Sequence, residues 1–159
     1  MEVTVTGIDK RGANPYSAHT QYSSLMVKIS LEYTGGLHCV ATHGPSGCNL
    51  ETDAPVDNHG RGESFSPTDL VATALGACMA TVMGIYAEAR GIDLTGMQIA
   101  VSKEMTQTPP RRIARITTEI RLPAGIKKDP ALERAALTCP VHAGLHPEVE
   151  KPVTFHYAE

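Results

Sequence analysis

Between Leu70 and Ala87 the chain runs for eighteen residues without one charged side chain. That length approaches the span of a bilayer. The stretch nevertheless holds Thr73, Gly76, Cys78, Thr81 and Gly84, and no Lys or Arg cluster marks either flank as cytoplasmic. A buried central helix accounts for it better. Ser66 is a natural N-cap, Pro67 suits the first helical position, and Asp69 completes a capping-box spacing. The pattern predicts a helix from Pro67 to Arg90, stopped by Gly91. Leu70, Ala74, Cys78, Val82 and Tyr86 recur along one face, yet the opposite face (Val71, Leu75, Met79, Met83) is apolar too. Such a helix needs cover on most sides, from a sheet, a second helix and another subunit.

The flanking sequence supplies the sheets. Val27, Ile29, Leu31 and Tyr33 alternate with polar residues, the period of a half-buried strand. Gly35-Gly36 predicts a hairpin turn, Leu37 to Ala41 the returning strand, and Cys48 to Thr52 a third strand after the Pro45-Ser46-Gly47 turn. A polar connection follows, carrying Asp57, Asn58, His59, Arg61 and Glu63. Beyond the helix, Met97, Ile99 and Val101 mark one strand, and Ala114 to Leu122 a second after the Thr108-Pro109-Pro110 turn. Asp129-Pro130 opens a short amphipathic helix, and Val153 to Tyr157 is a closing strand. Strands, long helix, strands, short helices and strand predict an α+β fold in one domain over residues 26–159. Residues 1–25, with only Val3 and Val5 alternating ahead of a polar turn, are expected to be an extension not needed for folding.

Composition narrows the function. The net charge of −3 leaves no basic surplus for phosphates, and no Trp with only two Phe makes a poor base-stacking platform, so no nucleic-acid partner is expected. Four cysteines without paired spacings do not make a secreted disulfide scaffold, and no apolar run follows a basic start. A cytoplasmic protein with reduced thiols, and with no membrane partner, is the expectation.

Two cysteines stand in suggestive places. Cys78 lies mid-helix, beyond reach of the helix dipole, and reads alone as a small core hydrophobe unless a cation or donor lies nearby. Cys139 precedes Pro140, an N-cap setting in which free backbone N–H groups stabilise a thiolate; a structural role suits the position equally well. Cys39 and Cys48 are expected to serve packing. Cys139, His142 and His146 have a spacing that would put both histidines on one helical face and could hold zinc. A fourth ligand would have to come from His38, Cys39 or His43, while Gly144 and Pro147 weaken the helix, so no metal is expected.

Ser66-Pro67-Thr68-Asp69-Leu70 leading to Ala77-Cys78, followed by Thr138-Cys139-Pro140-Val141 before a closing strand, resembles the OsmC/Ohr family of osmotically induced and organic-hydroperoxide-resistance proteins. The likeness extends roughly from Met26 to Tyr157. It implies antiparallel strands around long central helices in an intertwined homodimer. It also implies a thiol peroxidase without metal or organic cofactor. Cys78 would attack the peroxide and become a sulfenic acid, Cys139 would condense with it to a disulfide, and an external dithiol would reduce that bond.

The sequence departs from the family pattern at two places. Where active members carry a Glu ten residues before the helix cysteine, this chain has Thr68, and where an Arg follows the first Gly-Gly, it has Leu37. Arg61 and Glu63 in the connecting loop are the candidates to stand in for them. Two functions remain open: an organic-hydroperoxide peroxidase, and a non-catalytic relative binding a small apolar ligand at the dimer pocket.

Overall fold

A computed structural model describes residues 26–158; the expected 1–25 extension lies outside them. The first sheet is a three-stranded antiparallel meander of β1 (Ile29–Gly35), β2 (His38–His43) and β3 (Asn49–Asp53). Its first turn is longer than Gly35-Gly36 alone. Leu37 also takes a left-handed backbone, φ 65°, and belongs to the turn, so the returning strand starts at His38. Cys48 likewise falls in the next turn and is exposed, which corrects its expected packing role. A second correction concerns β1. Its alternation predicts one buried face, yet Leu31 is 71% and Tyr33 64% exposed, because no other layer among the described residues covers this strand.

Ser66 starts α1 (Pro67–Glu88) as its spacing predicts. The Asp69 N–H donates to Ser66 Oγ at 3.2 Å, and the Ser66 N–H donates to Asp69 Oδ2 at 2.8 Å. The helix ends two residues before the expected Arg90, because the Arg90 N–H turns back to Ala87 O (2.9 Å) and the Gly91 N–H to Glu88 O (3.2 Å). Leu75, Met79 and Met83 are fully buried.

They pack on a second sheet of β4 (Gln98–Met105), β5 (Ile113–Arg121) and β6 (Val153–His156), which contributes Ile116 and Ile120 to the core. Gly76 permits the close approach of α1 to β4; a methyl there would stand 3.0 Å from Val101 Cγ1. β4 and β5 are antiparallel, but β6 pairs with β5 in parallel, Thr118 opposite Val153 and Ile120 opposite Phe155. That pairing demands a long crossover, and the crossover contains α2 (Pro130–Leu137) and α3 (Pro140–Gly144). Leu132 and Ala136 of α2 complete the core. The expected α+β architecture is therefore present.

By length and composition α1 could cross a membrane, but its sheet-facing side carries the core. Its other side is uncharged and not covered by any other described residues: Thr73, Ala74, Ala77, Thr81 and Ile85 are exposed, Ile85 by 63%.

Candidate active site

α1 and α3 bring two thiols together. Cys78, on the half-buried flank of α1, packs against the hydrophobic core that includes the wholly buried Cys139. Cys139 is the N-cap of α3, with Pro140 at the first helical position. Its Sγ accepts the His142 N–H at 3.3 Å. The cap is as the sequence predicts, but its electrostatic consequence is not. Burial pushes the Cys139 thiol upward, the His142 N–H only opposes this, and the hydrogen-bonded Cys78 thiol raises it further. None of these groups is a cation, so only the N–H groups at the start of α3 favour the Cys139 thiolate.

The Cys139, His142 and His146 spacing, which could have suited zinc, is not kept on one helical face. α3 ends at Gly144 and Leu145 is extended, so His146 leaves the helical face it was expected to share with His142. Instead His146 Nδ1 accepts the Glu148 N–H at 3.3 Å. Among the described residues, no three His, Cys, Asp or Glu side chains converge on a metal position.

Arg61 and Glu63 form a pair of their own, Nη1 to Oε1 3.6 Å, both largely exposed. Their loop is tied to the first sheet by backbone bonds: Ala54 N–H to Leu37 O (3.2 Å), Gly62 N–H to Ala54 O (3.3 Å) and Asp53 N–H to Phe65 O (3.1 Å). This delivers Arg61 to the β1–β2 turn, where its Nη2 stands 3.7 Å from the point at which a Gly36 side chain would begin. The guanidinium thus reaches the turn beside Leu37. No hydrogen bond or ion pair among the described residues joins this pair to the thiols.

Sequence reasoning missed Lys103. Its Nζ lies 2.6 Å from Asp69 Oδ1 and 2.8 Å from Thr68 Oγ1, with only 15% of the side chain exposed. Lys103 and Asp69 line one end of a cavity of about 570 Å³ with Glu63, Phe65 and Ala72. A second cavity of about 410 Å³ shares Thr73 and Val101 with the first and continues past Gly76, Ala80 and Ile99. The alternation of β4 marked Val101 but carried no indication of what Lys103 would meet.

Three comparisons bear on this arrangement. The family model for OsmC-like protein matches residues 60–151, more than half of the chain. A protein of Psychrobacter arcticus 273-4 assigned to osmotic stress induction and the detoxification response is 39% identical, with a TM-score of 0.75 over 82% of this chain and 96% of that one. An organic hydroperoxide resistance protein OsmC from Legionella pneumophila is 16% identical, with a TM-score of 0.67 over 82% and 96%. One from Elizabethkingia anophelis, with thiocyanate bound, is also 16% identical, at 0.64 over 84% and 98%. At such identities the last two speak for the fold alone. A search of curated protein sequences returns no match.

Proposed function

The chain belongs to the OsmC-like protein family, and from that premise we propose that it is a cysteine-based thiol peroxidase acting on organic hydroperoxides. The family relation supports a role in peroxide or redox stress. The observation that carries the finer reading is the meeting of Cys78 and Cys139 at the edge of the core.

Cys78, the more accessible thiol, is the attacking one. Its thiolate bonds to one peroxide oxygen, the O–O bond breaks, and the other oxygen leaves with a proton as an alcohol. The resulting Cys78 sulfenic acid is attacked by Cys139, which forms the disulfide and releases water. An external dithiol restores both thiols and is itself oxidised to a disulfide. The chemistry needs no metal or organic cofactor.

The reading extends to a homodimer. Among the described residues, the uncovered face of α1, the exposed strand β1 and the unpaired edge of β4 are three surfaces that a second copy of the chain would cover together. In that assembly Arg61, held by Glu63 at the first hairpin, serves the partner's Cys78 in place of the arginine that Leu37 replaces.

The test is limited oxidation with an organic hydroperoxide, followed by peptide mass mapping without reductant. The expected product is a Cys78–Cys139 disulfide. Cys78→Ser should abolish peroxide consumption, and Cys139→Ser should stop after one turnover with a sulfenic acid on Cys78. A second reading is favoured by Leu37 and Thr68 and by the largely apolar cavity past Gly76, Ala80 and Ile99: a non-catalytic protein that binds a small apolar ligand. Cysteines that stay reduced in excess hydroperoxide would establish that reading instead.

A further inference from the structure

At the root of the Arg61–Glu63 loop lies a buried acid–imidazole pair that takes no part in the thiol chemistry. His38 on β2 and Asp53 on β3 are directly opposite in register. The Asp53 side chain is completely buried, and among the described residues its Oδ1 has no hydrogen-bond partner. The nearest candidate is His38 Nδ1, itself buried and likewise without a partner among them, 3.9 Å away. His38 Nε2 points the other way, 3.5 Å from Glu51 Oε2. The remaining oxygen, Asp53 Oδ2, accepts the Glu63 N–H at 3.0 Å.

The mismatch is one of proton count. A neutral imidazole has one N–H and faces two carboxylates, so it can satisfy only one. An imidazolium has two and can donate to both at once. A distance of 3.9 Å is too long for a hydrogen bond but within about 1 Å of one. Asp53 is in no position to supply the missing proton itself. The Glu63 N–H bond outweighs burial and, with help from the Ala54 N–H, His38 and Arg61, keeps its carboxyl below the usual range. The charged groups facing His38 are thus Glu51 and Asp53 from β3 and, beyond Asp53, Arg61 and Glu63 from the loop. From β1 the residue opposite is Gly35, which brings none.

We propose that His38 and Asp53 form a proton-operated latch that positions the loop carrying Arg61 and Glu63. When His38 takes its second proton, its Nδ1–H closes onto Asp53 Oδ1, and the carboxylate is fixed at both oxygens, one on His38 and one on the Glu63 amide. The loop is then held to β3 through both oxygens, which fixes Arg61 where it stands beside the β1–β2 turn. When His38 is neutral, the gap reopens and the loop loosens. Asp53 and His38 are positioning residues, and the consequence for Cys78 rests on the reading of Arg61 given above.

The test uses the full chain and two readouts. Hydrogen exchange of the Glu63 amide, normalised to its intrinsic rate at each pH, reports the latch itself. Its protection should rise several-fold on acidification, with the same midpoint as the His38 ring titration followed by NMR. His38→Gln and Asp53→Asn should each abolish that response. Glu51→Gln, at an exposed position, removes one of the two carboxylates that His38 faces and should weaken the Glu63 response, and it serves where a buried variant does not fold. Protection that is flat with pH, or that still responds in His38→Gln, overturns the latch. The second readout is the ratio of Cys78 oxidation rates in the wild type and His38→Gln, expected to be largest on the acid side. A Glu63 response with a flat rate ratio upholds the latch and removes Arg61 from the chemistry of Cys78.

Discussion

Lys103 on β4 ends 2.6 Å from Asp69 Oδ1 in the first turn of α1. The contact ties the start of the long helix to the second sheet, and it sets an acid limit on stability. Burial alone would raise the Asp69 carboxyl, but Lys103 and the Ser66 hydrogen bonds overcome it and hold the group at about 2 instead of 3.8. A carboxyl depressed in the folded state stabilises fully above its unfolded value and loses that contribution as pH falls through its folded one. Urea midpoints should therefore be level down to about pH 4 and then decline toward pH 2. Lys103→Met should flatten the part of the decline that belongs to Asp69; an unchanged slope would place the acid sensitivity elsewhere.

The N-cap residue does not itself line the cavity. Ser66→Ala deletes the acceptor for the Asp69 N–H and should cost about 1 kcal/mol in chemical denaturation. Ser66→Asp keeps an acceptor but sets a second carboxylate beside Asp69, so it should recover only part of that loss.

Close packing of α1 on β4 makes Gly76 a sensitive position. A methyl there would stand 3.0 Å from Val101 Cγ1 and 3.3 Å from Ile99 Cγ2, inside ordinary contact distance. Gly76→Ala should lower stability by about 1–3 kcal/mol despite its higher helix propensity. Val101→Ala in the same chain should return much of it, measurable as a double-mutant cycle.

Arg61 is two-thirds exposed, so Arg61→Ala should leave stability within about 0.5 kcal/mol of the wild type. If its charge serves Cys78, the rate of Cys78 oxidation should nevertheless fall about tenfold, the loss of a charge contact worth about 1.4 kcal/mol in the transition state. Stopped-flow measurement of sulfenic acid formation checks this, and an unaltered rate would leave Arg61 with the hairpin alone.

Sedimentation at low micromolar concentration should give twice the 17.0 kDa chain mass. Ile85→Asp places a charge on the uncovered face of α1, where Ile85 is 63% exposed in the single chain. A substitution this exposed is harmless to a monomer, so loss of the folded state or of the dimer would identify that face as an interface.

Features written in adjacent residues were legible from the sequence. Ser66, Pro67 and Asp69 form the capping box at the expected residue, and Cys139-Pro140 starts a helix as expected. Both depend on backbone groups within one turn. The positive φ of Leu37 was not legible, because a leucine after Gly-Gly gives no sign that the turn continues. Nor was the parallel β6, whose partner lies across two helices. At the candidate site, the meeting of Cys78 with Cys139 was reached only through family resemblance. Lys103 with Asp69 and His38 with Asp53 were missed altogether, since each joins residues far apart in the chain. The alternation of β1 was visible, but the described residues hold no surface for it to bury against.

Cys139 caps α3 with the same sulfur that is proposed to enter the disulfide. A sulfur committed to an S–S bond gives up the proton-accepting strength that holds the His142 N–H, and a helix of five residues has little else to fix its start. The backbone from Pro140 onward leads to β6 and its place on the sheet. Oxidation would thus be transcribed into the main chain. The His142 amide would act as a built-in reporter, its chemical shift distinguishing the reduced protein from the oxidised one without any added label.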